Sequence, residues 1–169
     1  MSELKWFDAY SGQTTEELIA LEGTYRTDSL VLAFEQALDQ KAARVAEGGL
    51  SEEERVILAI EALEREVNNG GYGQFFLNSS KEYACMAVDA LNRIGCVEVA
   101  ELTQQAIECL DIEGPLTIEA IDHVMAQENA KRDTELDEAD ERYFEIAGDL
   151  ADPLFEFIKS NRDKIVLLD

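Results

Sequence analysis

The chain has 169 residues, of which 46% are hydrophobic, enough for a genuine core within one domain. Its 14 Lys and Arg face 37 Asp and Glu, a formal net charge of −23 at pH 7. Such a field repels nucleic acid and anionic membranes and attracts basic surfaces, so direct binding to either of the first two is excluded.

The opening MSELKWFDAY lacks the basic and then apolar regions of a signal peptide, and no apolar run nears a membrane-spanning length. Cys85, Cys96 and Cys109 are odd in number and show no Cys-x-x-Cys spacing. They are expected as buried thiols in a reducing cytoplasm. Trp6, Phe7 and Tyr10 make an aromatic start that reads as a docking edge.

From there the periodicity is helical almost throughout. Residues 28–46 place Leu30, Phe34, Leu38 and Val45 on one side, and Gly48-Gly49 stops them. Ser51 with Glu54 forms a capping box, in which each side chain satisfies the other residue's free amide. The helix behind it carries Val56, Ile60, Leu63 and Val67 on one stripe, and Asn68-Asn69-Gly70-Gly71 ends it. Residues 72–78 predict one or two helical turns, and Ser79 with Glu82 predicts a second capping box. The helix after that box buries Ala84, Ala87, Val88, Leu91 and Ile94, with Gly95 as its stop. A further helix is expected over about 97–110. Thr117 caps another to about Asn129, and a last region over about 135–161 is interrupted near Asp152-Pro153, with Asp as the cap before proline. No strand alternation is visible. The expectation is an all-α, compact, bundle-like domain with short connections, spanning 1–169 as one unit.

The stretch from Leu50 through Glu66-Val67-Asn68-Asn69-Gly70-Gly71, Gln74-Phe75-Phe76 and Asn78-Ser79-Ser80 to Ile94-Gly95 resembles the acidic, all-helical DNA-mimic protein family. Weaker similarity runs through Leu136, Asp140, Tyr143-Phe144 and Leu154 to Ile158, so residues 50–161 carry the resemblance. The mass of 18.9 kDa and the acidity suit the family's characterised mimic. The resemblance implies an all-helical homodimer that competes with DNA for a dimeric helix-turn-helix transcription factor. Its motifs sit in a fold-defining turn rather than in the acids, so they speak to fold more than to activity.

The acids carry their own pattern. No Lys or Arg occurs between Ile94 and Ala130, whereas Glu98, Glu101 and Glu108 fall there on one predicted helix. Asp133, Asp137, Glu141, Glu145 and Asp149 then recur at i+4 steps, with Asp140 beside them and Leu136, Ala139, Tyr143, Ile146 and Leu150 on the opposite face. Each step rises about 6 Å, comparable to the spacing of phosphates along a DNA strand. A protein that grips phosphates is thereby offered carboxylates instead. Two acidic rows on neighbouring helices would imitate two strands across a groove.

Other chemistries fare worse. The single His123 cannot build a multi-histidine site, no calcium-loop pattern occurs, and Gly70, Gly71 and Gly73 lack the Gly-Lys-Ser/Thr of a phosphate loop. Asn68, Asn69, Gln74 and Asn78 fit either a ligand pocket or amides that cross-link the turn, the second being favoured. No enzyme activity and no cofactor are expected. The reading is a cytoplasmic DNA mimic acting on a basic DNA-binding protein. The alternative is an acidic inhibitor or immunity-type protein against a basic nuclease or toxin.

Overall fold

A computed structural model describes residues 2–46 and 48–167. The fold is all-α: among the described residues the only β pairing is two isolated bridges, Lys5–Tyr25 and Glu22–Tyr25. The helices are α1 (Thr15–Ile19), α2 (Thr27–Arg44), α3 (Glu52–Leu77), α4 (Ala84–Arg93), α5 (Val97–Glu108), α6 (Ile118–Met125), α7 (Ala130–Ile146) and α8 (Ala151–Ser160). Short 3₁₀ turns cover Ser79–Tyr83 and Arg162–Lys164. The chain divides into two compact units, Met1–Glu61 with Ala151–Asp169, and Ala62–Leu150. Among the described residues no helix is long and apolar enough to cross a membrane.

In the first unit, α2 packs against α1 and α8. Leu30, Phe34 and Leu38 are fully buried, as the i, i+4, i+8 spacing requires. The predicted capping box forms: the Glu54 amide donates to Ser51 Oγ and the Ser51 amide to Glu54 Oε2, both at 3.1 Å. Glu54 does more than cap. It is buried, accepts Lys41 Nζ at 2.9 and 3.0 Å, and accepts the Val166 amide at 2.8 Å. Lys41 Nζ reaches the Val166 carbonyl at 2.8 Å, and Thr15 Oγ1 donates to the Ile165 carbonyl at 2.6 Å. The C-terminal segment is thus tied down by side chains that satisfy its backbone, while Ile165 and Leu167 are buried.

Several expectations change. α1 was not anticipated from the hydrophobic pattern, yet Thr14 and Glu17 form a complete capping box for it. The expected box at Ser79 and Glu82 does not form, because a 3₁₀ turn occupies that stretch without a side-chain cap and Ser80 Oγ donates to the Phe75 carbonyl at 3.0 Å. The last interruption lies at 147–150, where Gly148 takes φ 58°, rather than at Asp152-Pro153. Asp152 and Pro153 lie inside the first turn of α8, where the missing proline amide has no intrahelical partner to lose. The thiols are less buried than expected: Cys85 is exposed, and Cys96 and Cys109 are half-buried. The aromatic start lies along α2: the Phe7 amide donates to Ser29 Oγ, the Tyr10 amide to Gln36 Oε1, and Arg26 lies over the Trp6 ring.

Replacing Lys41 with Met leaves the buried Glu54 carboxylate without its cation. Urea or guanidinium unfolding should show a loss of about 3–5 kcal/mol, and the double variant K41M/E54M should recover part of it.

Candidate functional site

Within the second unit, α3 does not end at Asn68-Asn69-Gly70-Gly71 as the glycines suggest. It breaks there and resumes, with Gly70 at φ −156°, ψ 16° and Gly71 at φ 78°, ψ −177°. The second conformation is one that only glycine adopts without strain. A Cβ on Gly71 would also fall onto the carboxylate of Asp140. The break frees the Tyr72 amide from the helix ladder, and Asp140 Oδ1 accepts it at 2.7 Å. The Tyr72 side chain is fully buried, hydrogen-bonded to Thr103 Oγ1 at 2.8 Å and edge-on to Tyr143 at 5.9 Å between ring centres. Burial pushes the Tyr72 phenol well above its ordinary value, so it stays protonated.

The amides around this turn cross-link it. Glu66 Oε2 accepts Gln74 Nε2 at 2.7 Å and Asn78 Nδ2 at 2.9 Å. Asn68 and Asn69 are exposed. Glu66, which the sequence reading did not single out, is therefore the centre of the polar cluster.

Tyr72 also orients two helices. It meets Thr103 in the middle of α5, and Asp140 and Tyr143 in the later part of α7. At the other end, Glu108 and the following Cys109 share an open cleft of about 440 Å³ with Lys131, Arg132 and Glu135 of α7. The two helices pack together and run antiparallel. Burial and the neighbouring Glu135 charge push the Cys109 thiol up, which keeps it a thiol rather than a thiolate.

The buried stripe of α7 is Arg132, Leu136, Ala139 and Tyr143. Arg132 is an inward anchor: its guanidinium donates to the carbonyls of Val124 at 2.6 Å and Gln127 at 3.1 Å, at the end of α6. Opposite the stripe, Asp133, Asp137, Glu141 and Glu145 are all exposed. They rise about 6 Å per step and turn by about 40°, so the row winds over the outer face instead of running straight. Asp133 pairs with Arg132 at 2.9 Å and Glu145 with Arg142 at 3.0 Å. Among the described residues no cation pairs with Asp137 or Glu141.

Two of the expected ridge members stand elsewhere. Asp149 is exposed but lies beyond the end of α7, where Gly148 has already redirected the chain. Asp140 is half-buried and turned towards Gly71, and burial raises its carboxyl above the ordinary range. On α5, Glu98, Glu101 and Glu108 are exposed, and Glu108 Oε1 accepts Gln104 Nε2 at 3.1 Å. The outer face of α7 also carries Phe144, which is 61% exposed and which the acid pattern had not flagged. Its signal was available in the i+3 step from Glu141.

Among the described residues no group of three or more His, Cys, Asp and Glu forms a metal set. His123 is exposed, with its Nε2 at 3.1 Å from Gln127 Nε2.

A family model described as DMP19-like protein matches residues 48–161 of this chain. No curated protein and no solved structure gives a significant match.

Removing the Asp140 acceptor by Asp140→Ala strands the Tyr72 amide and should lower unfolding stability by about 1–2 kcal/mol, whereas Asp140→Asn keeps an acceptor and costs less. The folded state holds the Asp140 proton more tightly than the unfolded chain, whose ordinary value is 3.8. The protonation-linked part of its contribution is therefore full below that value and is lost as pH rises through the raised folded value, while the acceptor for the Tyr72 amide remains. Denaturation curves against pH should show this component in the parent protein and not in D140N.

Proposed function

This chain belongs to the DMP19-like family, a DNA-mimic family, and on that premise we propose that it competes with DNA for the basic face of a DNA-binding protein, most simply a dimeric helix-turn-helix transcription factor. The observation that carries the reading is the outer face of α7, where Asp137 and Glu141 stand one helical step apart, exposed and with no paired cation among the described residues, on a helix fixed from behind by four buried side chains. The exposed Glu98, Glu101 and Glu108 of the adjoining α5 supply a second anionic row. A face that grips phosphates with Lys, Arg and helix N-termini meets the same charge at a comparable interval.

The role is binding rather than catalysis. The acids lie on exposed helix faces, where they meet a partner's surface rather than enclose a small substrate. The net charge of −23 supplies long-range attraction for a basic partner and raises the rate of encounter. The proposal includes a homodimer, which would present the rows twice and match a two-fold partner. Sedimentation at moderate salt tests that part.

Affinity capture from the host at low salt, followed by elution with duplex DNA, should release a transcription factor. Recovery of a nuclease or toxin by the same route would move the reading to an inhibitor of that partner. In a gel-shift competition with the captured protein, the triple variant D137N/E141Q/E145Q should need at least about tenfold more protein to displace DNA, about 1.4 kcal/mol, at unchanged helix content. Raising the salt should weaken the parent protein far more than the triple variant. Equal displacement by parent and variant would remove this face from the function.

A further inference from the structure

We infer that Phe144 is the specificity-determining contact of this acidic face, a ring that receives an arginine guanidinium of the partner. The inference rests on the DNA-mimic reading and adds to it the kind of side chain the face selects.

Phe144 is the most exposed of the described large hydrophobic residues, at 61%, although it lies next to the fully buried Tyr143. Its ring lies perpendicular to that of Tyr143, with 6.0 Å between ring centres, so it is supported on one side while most of the side chain stays open to water. An exposed aromatic of this size forgoes about 2 kcal/mol of burial. A second copy, an apolar partner and a cationic partner each would cover it.

The surroundings favour the cation. Glu141 stands three residues before Phe144 and Asp137 seven before, which places both on the same face of α7, within about 60° of the ring. Neither carries a counter-ion among the described residues. An apolar partner covering Phe144 would desolvate those carboxylates without pairing them, at a high penalty. An arginine avoids it: its planar guanidinium stacks on the ring while its outward N–H groups donate to the flanking carboxylates. Lysine offers a compact, strongly hydrated charge and gains less from the ring. Surface carboxylates alone mostly set encounter rate and salt dependence, whereas a supported aromatic within them provides a short-range contact that discriminates.

The test uses the full chain and two synthetic probes, a short arginine-rich helical peptide and its lysine-for-arginine twin of equal charge. Titration calorimetry at low salt should show the parent protein binding the arginine peptide more tightly. Phe144→Leu should weaken the arginine peptide about fivefold and leave the lysine peptide nearly unchanged, and Phe144→Tyr should restore the preference. Phe144 is exposed, so these variants should fold, and circular dichroism verifies it. Equal affinity of the parent for both peptides, or no change in F144L, overturns the inference. So does a parent protein that self-associates through this residue, seen as a shift to monomer in F144L with both peptides unaffected. If the gel-shift competition shows no displacement of DNA while F144L still loses the arginine preference, the mimic reading fails and the role of Phe144 stands. If D137N/E141Q binds both peptides as the parent does, the flanking carboxylates take no part and the inference fails.

Discussion

The hydrogen bond from the Tyr72 amide to Asp140 ties α3 to α7 on the flank between the buried stripe of α7 and its exposed face. It exists because α3 breaks at Gly70-Gly71 and exposes a backbone amide that needs an acceptor. Asp140 supplies that acceptor, and the adjacent turns of α7 are then committed: Leu136, Ala139 and Tyr143 point inward, and Asp137, Glu141 and Phe144 point outward. The absence of a side chain on Gly71 is what lets the carboxylate approach. A local feature of one helix thereby supports the orientation of another.

The all-α class was legible because the periods were long and the caps explicit. Ser51-Glu54 and Thr117 both do what their positions imply. What the sequence concealed were effects of distant partners. The pair of glycines reads locally as a helix terminus, yet the helix resumes beyond the break, where the Tyr72 amide finds its acceptor in Asp140, 68 residues away. The Ser79-Glu82 pattern reads as a cap, yet the chain there closes a 3₁₀ turn on the Phe75 carbonyl.

The acidic face was legible in the same partial way. The i+4 spacing correctly placed Asp133, Asp137, Glu141 and Glu145 outside. It overreached at both kinds of boundary. Asp149 keeps the spacing after the helix has stopped, because spacing in a sequence does not register a positive-φ glycine in between. Asp140 is acidic like its neighbours but differs from them in phase by about 100° from Glu141, which is enough to move it from solvent to the interior flank. The pattern of like residues also hid Phe144, since a search for charge passes over the one apolar side chain among the acids.

Charge on this scale raises the question of how α7 stays folded. A like-charged i, i+4 pair on a helix surface destabilises by about 0.2–0.5 kcal/mol, so the row from Asp133 to Glu145 opposes the helix by about 1 kcal/mol. Burial of Leu136 and Tyr143 contributes about 1.5–3 kcal/mol each in the opposite direction. Packing therefore outweighs repulsion with margin, and the Asp133–Arg132 and Glu145–Arg142 pairs ease it further at the two ends of the row. In the middle, no cation among the described residues pairs with Asp137 or Glu141. That distribution gives a carboxylate array whose positions are set by an apolar interior rather than by its own ion pairs. A partner can desolvate such an array without first breaking it apart, an advantage that a disordered acidic tail of equal charge lacks, because the tail must also be ordered on binding.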